Sequence, residues 1–268
     1  MRRRGLARES ATLHKRGTME DWHFYLAAVP AVLLMGLSKG GFSGLAILST
    51  PLIALAVSPV RAAAIMLPIL IVQDAVSVWA YRHDWSARNL AILLPGAFAG
   101  IALGYLLAAR VSDAAVTLAV GIVSATFVLW QWFKHARRPG LAPQPAAVGR
   151  GLFWGTVSGF TSFISHTGGP PFQVYTMPQR MPPTTFAGTT TLFFAIVNLI
   201  KVLPYFLLGQ FAPQNLTASA SLLPVAILAT FAGVWLVRRV PAERFFLLIY
   251  VLTLLVGVKL IVDGLRGL

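Results

Sequence analysis

The chain has 268 residues, of which 57% are hydrophobic and only 11% are charged, and its mean hydropathy is +0.74. A soluble chain of this size carries about a quarter charged residues, so the composition excludes an ordinary soluble domain and indicates a polytopic membrane protein. The net charge of +14 does not indicate nucleic-acid binding, because the basic residues lie mostly at the ends of apolar segments. With no cysteine and no His/carboxylate cluster at ligand spacing, the sequence predicts no cofactor and no metal site.

The chain opens with a basic tail, residues 1–21, which has no apolar core of a signal peptide. Met19 stands directly before the first apolar segment, and one interpretation makes it the true start of the protein. The alternative is a genuine basic tail that binds anionic lipid.

Apolar segments follow in two similar series around a proline-rich linker. The first series lies at 22–57, 62–81, 90–109 and 114–133, the linker at 134–149, and the second series at 151–178, 185–208, 216–237 and 245–262. This pattern predicts an all-α polytopic membrane protein with two homologous repeats, 22–133 and 150–268. Each repeat is expected to contain a broken or re-entrant helix hairpin followed by three transmembrane helices.

The evidence for duplication is a set of residue pairs at nearly constant separation. The pairs are Gly40-Gly41 with Gly168-Gly169, Leu94-Pro95 with Leu223-Pro224, Gly104 with Gly233, Asp74 with Asn198, and Tyr81 with Tyr205. Duplicated halves that meet at broken helices are typical of secondary transporters.

A glycine-rich interruption divides the first apolar segment of each half. The first interruption is Ser38-Lys39-Gly40-Gly41-Phe42-Ser43-Gly44 and the second is Ser165-His166-Thr167-Gly168-Gly169-Pro170-Pro171. An unbroken helix over 22–57 would be roughly 54 Å long, whereas the hydrocarbon core is roughly 30 Å thick. Two shorter helices are therefore expected, as a re-entrant hairpin or as one broken crossing. Re-entrant hairpins place most basic residues on one side, which favours a cytoplasmic linker and external termini.

The residue types in the two interruptions suit an anion. A glycine-rich turn that opens a helix offers unpaired N–H groups and a partial positive charge. The Gly-Gly pairs let an oxyanion approach the backbone, and hydroxyl donors come from Ser38, Ser43, Ser165 and Thr167. The alternative is that the glycines only let helices pack closely.

Charged residues deep in the spans add to this prediction. Lys39 is expected to face the substrate anion rather than to snorkel, because apolar runs flank it on both sides. Lys201 lies on one helix face with Asn198, and it either lines the pathway or pairs with Asp74. Asp74 either carries a coupling proton or neutralises one of the lysines. His166 is a second candidate for proton coupling, with a purely structural role as the alternative.

The segments Ser-Lys-Gly-Gly-Phe-Ser-Gly, Ile-Ser-His-Thr-Gly-Gly-Pro-Pro, Ile-Val-Gln-Asp and Val-Asn-Leu-Ile-Lys resemble those of the sulfite exporter family TauE/SafE. The resemblance covers nearly all of the chain after Met19. It implies a multi-pass transporter of the bacterial inner membrane, not an enzyme, that carries sulfite, a sulfonate such as sulfoacetate, or a short organic acid. The expected partners are this small anion and the lipid bilayer, with a homodimer as a further possibility and no nucleic acid.

Two other functions remain as alternatives. An anion channel with the same two interruptions facing a continuous pore has the same sequence signature. The motif Gly41-Phe42-Ser43-Gly44 is also similar to the nucleophile motif of intramembrane serine proteases, with His166 as a conceivable base. A protease, however, gives no reason for a second glycine-rich interruption.

Overall fold

The protein is all-helical in a computed structural model that describes residues 24–42, 59–107, 112–137, 142–165, 167–207 and 213–268, with single positions between 22 and 57. The helices are α1 (Phe24–Lys39), α2 (Pro59–Ala80), α3 (Ala87–Leu107), α4 (Asp113–Arg137), α5 (Val148–Ser165), α6 (Gly169–Thr176), α7 (Pro183–Leu207), α8 (Pro213–Arg239) and α9 (Ala242–Gly267). A 3₁₀ turn, Met177–Gln179, follows α6. The basic tail at 1–21 lies outside the described residues, as does the proposed start at Met19.

Helices of the described part are long and apolar enough to form a polytopic membrane protein. Five of them meet the length and hydropathy of a membrane span, namely Ala87–Leu107, Ala114–Phe133, Pro183–Leu203, Pro213–Arg239 and Ala242–Gly267. Phe24–Lys39 and Ile65–Ala80 are shorter apolar helices. The predicted all-α membrane class is therefore confirmed, and the predicted spans agree with these helices to within a few residues.

The helix bundle is apolar outside and polar at points inside. Leu106, Phe206 and Leu228 are among the large apolar side chains that remain exposed, as expected of a surface that contacts lipid. Buried positions include Gln73, Asp74, Asn198 and Lys201. Polar groups inside a membrane bundle are costly, so their collection in the interior indicates a site rather than a core.

Glycines bring helices of the two halves into direct backbone contact. A methyl group on Gly40, directly after α1, would lie 2.4 Å from Cα of Gly233 of α8. In the same way, a methyl group on Gly100 of α3 would lie 2.0 Å from the carbonyl oxygen of Thr156 of α5. α1 of the first half thus packs on α8 of the second half, and α5 of the second half packs on α3 of the first half, which is the exchange that a duplicated chain would give. The duplication itself stays a prediction.

The second interruption forms a helical hairpin. α6 runs back along α5, because Gly168 lies against Ser158 near the closed end and Tyr175 lies against Gly151 near the open end. Beyond the hairpin, the N–H of Gln144 donates to the carbonyl of Pro178 at 3.0 Å. The chain therefore enters and leaves this element at the same end of the bundle, as a re-entrant hairpin does.

The first interruption begins at the end of α1. Lys39 is the last helical residue, Gly40 and Gly41 form a turn, and Gly41 has φ +134°, a backbone conformation that favours glycine. Ser43 and Gly44 lie outside the described residues. Ile53, described as a single position, packs in one apolar cluster with Ala28, Val32 and Met35 of α1.

Candidate functional site

Lys39, Asp74 and Asn198 form a connected polar trio in the interior of the bundle. The Lys39 ammonium lies 2.5 Å from Oδ1 of Asp74, and the Asn198 side-chain amide donates to Oδ2 at 2.9 Å. The side chains of Lys39 and Asp74 are only 11% and 7% exposed. Of the two roles predicted for Asp74, the geometry provides the ion pair with Lys39, so the charge of this lysine is matched within the protein.

Hydroxyl groups fix the backbone of the first interruption. Ser77 and Thr191 both donate to the carbonyl of Lys39, at 3.0 and 3.3 Å. Tyr81, which is fully buried, donates to the carbonyl of Gly40. Because α2 and α7 both contribute donors, the turn after α1 is held by two other helices and does not depend on its own sequence alone.

Lys201 is in a different electrostatic situation. Its side chain is 1% exposed, and its ammonium donates to the carbonyl and the hydroxyl of Ser162 in α5, at 2.5 and 2.7 Å. Within the ranges that the structure describes, no carboxylate lies at ion-pair distance from it. The predicted alternative, a pair between Lys201 and Asp74, is not formed. Lys201 is thus a buried amine held by neutral oxygen atoms.

Lys201 lies beside the start of α6. Ser162, its partner, also lies against Gly168, since a methyl group on Gly168 would be 2.6 Å from Cβ of Ser162. Gly168 is the N-terminal cap of α6, and no side chain of the described residues caps this helix. Pro170 and Pro171 carry no N–H, so Gly168 and Gly169 supply the donors of the first turn. Neither of these N–H groups meets a backbone acceptor among the described residues.

The two Gly-Gly pairs, Gly40-Gly41 and Gly168-Gly169, differ in how closely other atoms approach their Cβ positions. Methyl groups on Gly40 and Gly41 would meet atoms of α8 at 2.4 and 2.6 Å, so close packing accounts for both glycines. Gly168 is equally tight, but no atom of the described residues lies within 4 Å of the Cβ position of Gly169. Among these four glycines, the predicted open approach to the backbone coincides with open space in the described part of the chain at Gly169.

The remaining predicted residues are placed as follows. Ser38 is 7% exposed and its carbonyl accepts the N–H of Gly41 at 3.0 Å, so it belongs to the packed turn of the first interruption. Thr167 is 4% exposed and its N–H donates to the carbonyl of Thr161 at 3.2 Å. Ser165 is the last residue of α5. Ser43 and His166 lie outside the described residues, and the proton role of His166 stays a prediction.

Sequence reasoning missed the hydroxyl groups of α5. Ser162 holds Lys201, Ser158 donates to the carbonyl of Gly168 at 2.7 Å, and Thr161 donates to that of Thr167 at 3.4 Å. A signal was present, since Ser158, Ser162 and Ser165 are four and three positions apart and share one helix face. α7 then joins both interruptions, because Asn198 contacts Asp74 of the trio and Lys201 contacts Ser162 of α5.

A polytopic helical bundle with buried lysines beside helix ends is typical of membrane transport proteins. The family model for Sulfite exporter TauE/SafE matches residues 28–260, which is most of the chain. The chain belongs to this family, as its sequence motifs predicted, and is a multi-pass membrane protein of the transporter class. The comparisons with curated proteins and with solved structures gave no significant match.

Proposed function

We propose that the protein carries a small oxyanion of the sulfite type across the bacterial inner membrane, bound at the second interruption. The observation that carries this proposal is the buried ammonium of Lys201, which has only neutral oxygen partners in the described part of the chain. A charge at this depth costs a few kcal/mol even on lenient insertion scales, so it is rarely kept without an ionic partner or a function.

The charge pattern selects Lys201 over Lys39 as the principal anion ligand. The Lys39 charge is already matched by Asp74, so an anion bound there would compete with a carboxylate. An anion beside Lys201 would instead neutralise the excess positive charge. The Gly168 and Gly169 N–H groups and the partial positive charge at the start of α6 would add to the attraction. The hydroxyl groups of Ser162, which contacts Lys201, and of Thr167, directly before Gly168, would orient the bound oxyanion.

The burial of Lys201 favours a carrier over a channel. A continuous water-filled pore would expose the cation that attracts the ion, whereas Lys201 is 1% exposed. We interpret this arrangement as a closed state of an alternating-access transporter. The α5–α6 hairpin and α7 would then separate to admit the anion, as in transporters whose repeats move against each other around a central site.

The direct test is anion flux in proteoliposomes that contain the full-length protein. Sulfite, sulfoacetate and a short carboxylate are supplied in turn, with and without a pH gradient. We expect saturable flux and counterflow in the wild type, and at least a tenfold loss of flux in Lys201→Met. The matched control is Lys259→Met, because Lys259 is also in a span but forms its ion pair with Asp263 on its own helix.

Different results would overturn the proposal at different points. Flux in Lys201→Met equal to the wild type would remove Lys201 from the site. Flux that never saturates and shows no counterflow would identify a channel. If sulfoacetate or the carboxylate competes with sulfite at equal concentration, the site recognises the oxyanion group in general rather than sulfite.

A further inference from the structure

A second polar site lies at the end of the bundle, away from Lys201. It is a cleft with a volume of about 320 Å³ where the ends of α2 and α8 meet. Its main lining side chains are Trp79, Arg82, His83, Asp84, Phe231 and Arg238. The volume is at the lower end of the range of small-molecule sites, about 300–1,000 Å³, so the cleft holds a headgroup-sized ligand.

Two guanidinium groups in this cleft are fixed in place. Arg238 donates to the carbonyl of Ala80 at 2.7 Å, which joins the ends of α8 and α2. Arg82 donates to the carbonyl of Trp79 at 2.8 Å and lies over the Trp79 ring, 5.1 Å from its centre. These contacts hold both side chains at the cleft and so reduce the entropy lost when they bind an anion.

The positive charge of the cleft is not neutralised within it. Each guanidinium has five N–H donors, and a backbone carbonyl takes one from each. Asp84 lines the cleft as well, but in the described portion of the chain it forms an ion pair with neither arginine. A phosphate group matches the remaining donors, because guanidinium groups bind phosphate with paired hydrogen bonds.

The apolar wall of the cleft belongs to the surface that contacts lipid. Trp79 is 60% exposed and Phe231 is 43% exposed, and their rings pack edge to face, 6.4 Å apart. Tryptophan near the end of a span marks the boundary between the hydrocarbon core and the headgroups. A ligand in this cleft therefore meets both arginine side chains and exposed aromatic side chains.

We propose that this cleft binds the phosphodiester headgroup of an anionic phospholipid, with its acyl chains along Trp79 and Phe231. Basic pockets between transmembrane helices recognise such headgroups through the same combination of charge and apolar wall. A free phosphate or the transported anion would bind the arginines but has no apolar part to contact the exposed aromatic side chains. This site is independent of the site proposed at Lys201.

The test measures lipid preference in the full-length protein. The protein is placed in phosphatidylcholine nanodiscs and titrated with spin-labelled phosphatidylglycerol, and the motionally restricted fraction is compared with that of spin-labelled phosphatidylcholine. We expect Arg82→Gln to lower the affinity for phosphatidylglycerol about fivefold and Arg82→Gln/Arg238→Gln about twentyfold. Arg239→Gln is the matched control, since Arg239 lies over the Trp235 ring and does not line the cleft.

Three outcomes would overturn the proposal. The first is an unchanged preference in Arg82→Gln, an exposed side chain whose loss leaves the α2–α8 contact through Arg238 intact. The second is an equal loss in Arg239→Gln, which would mean general surface charge. The third is release of the lipid by millimolar inorganic phosphate or sulfite, which would identify a site for free anions.

Discussion

At the scale of single residues, the two buried lysines differ in how their charge is matched. Lys39 is paired with Asp74, and Asn198 satisfies the second carboxylate oxygen. Lys201 has the two oxygen atoms of Ser162 as its partners. Removing one partner of a buried ion pair leaves an uncompensated charge, whereas replacing an amine that has no ionic partner does not. Stability and transport should therefore respond in opposite ways to changes at the two positions.

Lys39→Met is expected to destabilise the protein, because it leaves the Asp74 carboxylate buried without a cation. Removing one partner of a buried ion pair costs about 3 to 5 kcal/mol. The second change Asp74→Asn in the same chain should restore most of the lost stability, since both charges are then absent. Thermal unfolding in detergent measures all three variants. Equal Tm values for Lys39→Met and the wild type would show that the pair contributes nothing.

Lys201→Met is expected to unfold at the same temperature as the wild type or higher. The change removes a buried charge that no described carboxylate neutralises, and methionine fills a similar volume. The same variant should lose anion flux. A Tm lowered as far as in Lys39→Met would mean that Lys201 has a structural partner, and the loss of flux would then be a consequence of misfolding.

At the scale of elements, the sequence indicated where helices such as α5 and α6 lie and end, but not which of their faces meet. The apolar runs predicted where the spans lie, and the glycine-rich segments predicted where helices end. The rotation of each helix about its axis could not be predicted, and that rotation decides which partners meet. The sequence allowed either Lys39 or Lys201 to pair with Asp74. The packing of α7 on α5 determines that Lys201 contacts Ser162 instead. The packing role of Gly40 likewise depends on α8.

Adjacent glycines in the hairpin provide a prediction about the element as a whole. Gly168→Ala should destabilise the protein by about 2 kcal/mol or more, because the new methyl group would lie 2.6 Å from the carbonyl oxygen of Ser158. The methyl group of Gly169→Ala would meet no atom of the described residues within 4 Å, so this variant should fold normally. If the anion approaches the start of α6, the Gly169 methyl group should raise the KM for flux several-fold.

Thermal unfolding and the concentration dependence of flux distinguish the two glycine variants. A normal Tm with an unchanged KM in Gly169→Ala would place the anion elsewhere. A normal Tm in Gly168→Ala would mean that the hairpin relaxes easily, contrary to its close contact with α5.

At the scale of the whole molecule, helices of each half pack against helices of the other half. α1 packs on α8 and α3 packs on α5 through glycine contacts, and the central trio takes Lys39 and Asp74 from one half and Asn198 from the other. A half by itself would leave its glycine-lined helix faces without a packing partner, and it would lack part of the polar trio. Close helix contacts of this kind contribute much of the association energy within membranes, where burial from water contributes little.

The last prediction follows from this exchange of helices. When fragments 1–141 and 142–268 are expressed separately, each should aggregate or be degraded, and when expressed together they should copurify as one helical complex. Gly100→Leu in the first fragment should abolish copurification, because even a methyl group there would lie 2.0 Å from the Thr156 carbonyl oxygen. Gly149→Leu in the second fragment is the matched control, since no atom of the structurally described residues lies within 4 Å of that Cβ position. A monodisperse, helical fragment obtained alone would show that one half folds independently. The packing of α1 on α8 and of α3 on α5 would then join two independently folded halves and would not be required for either half to fold.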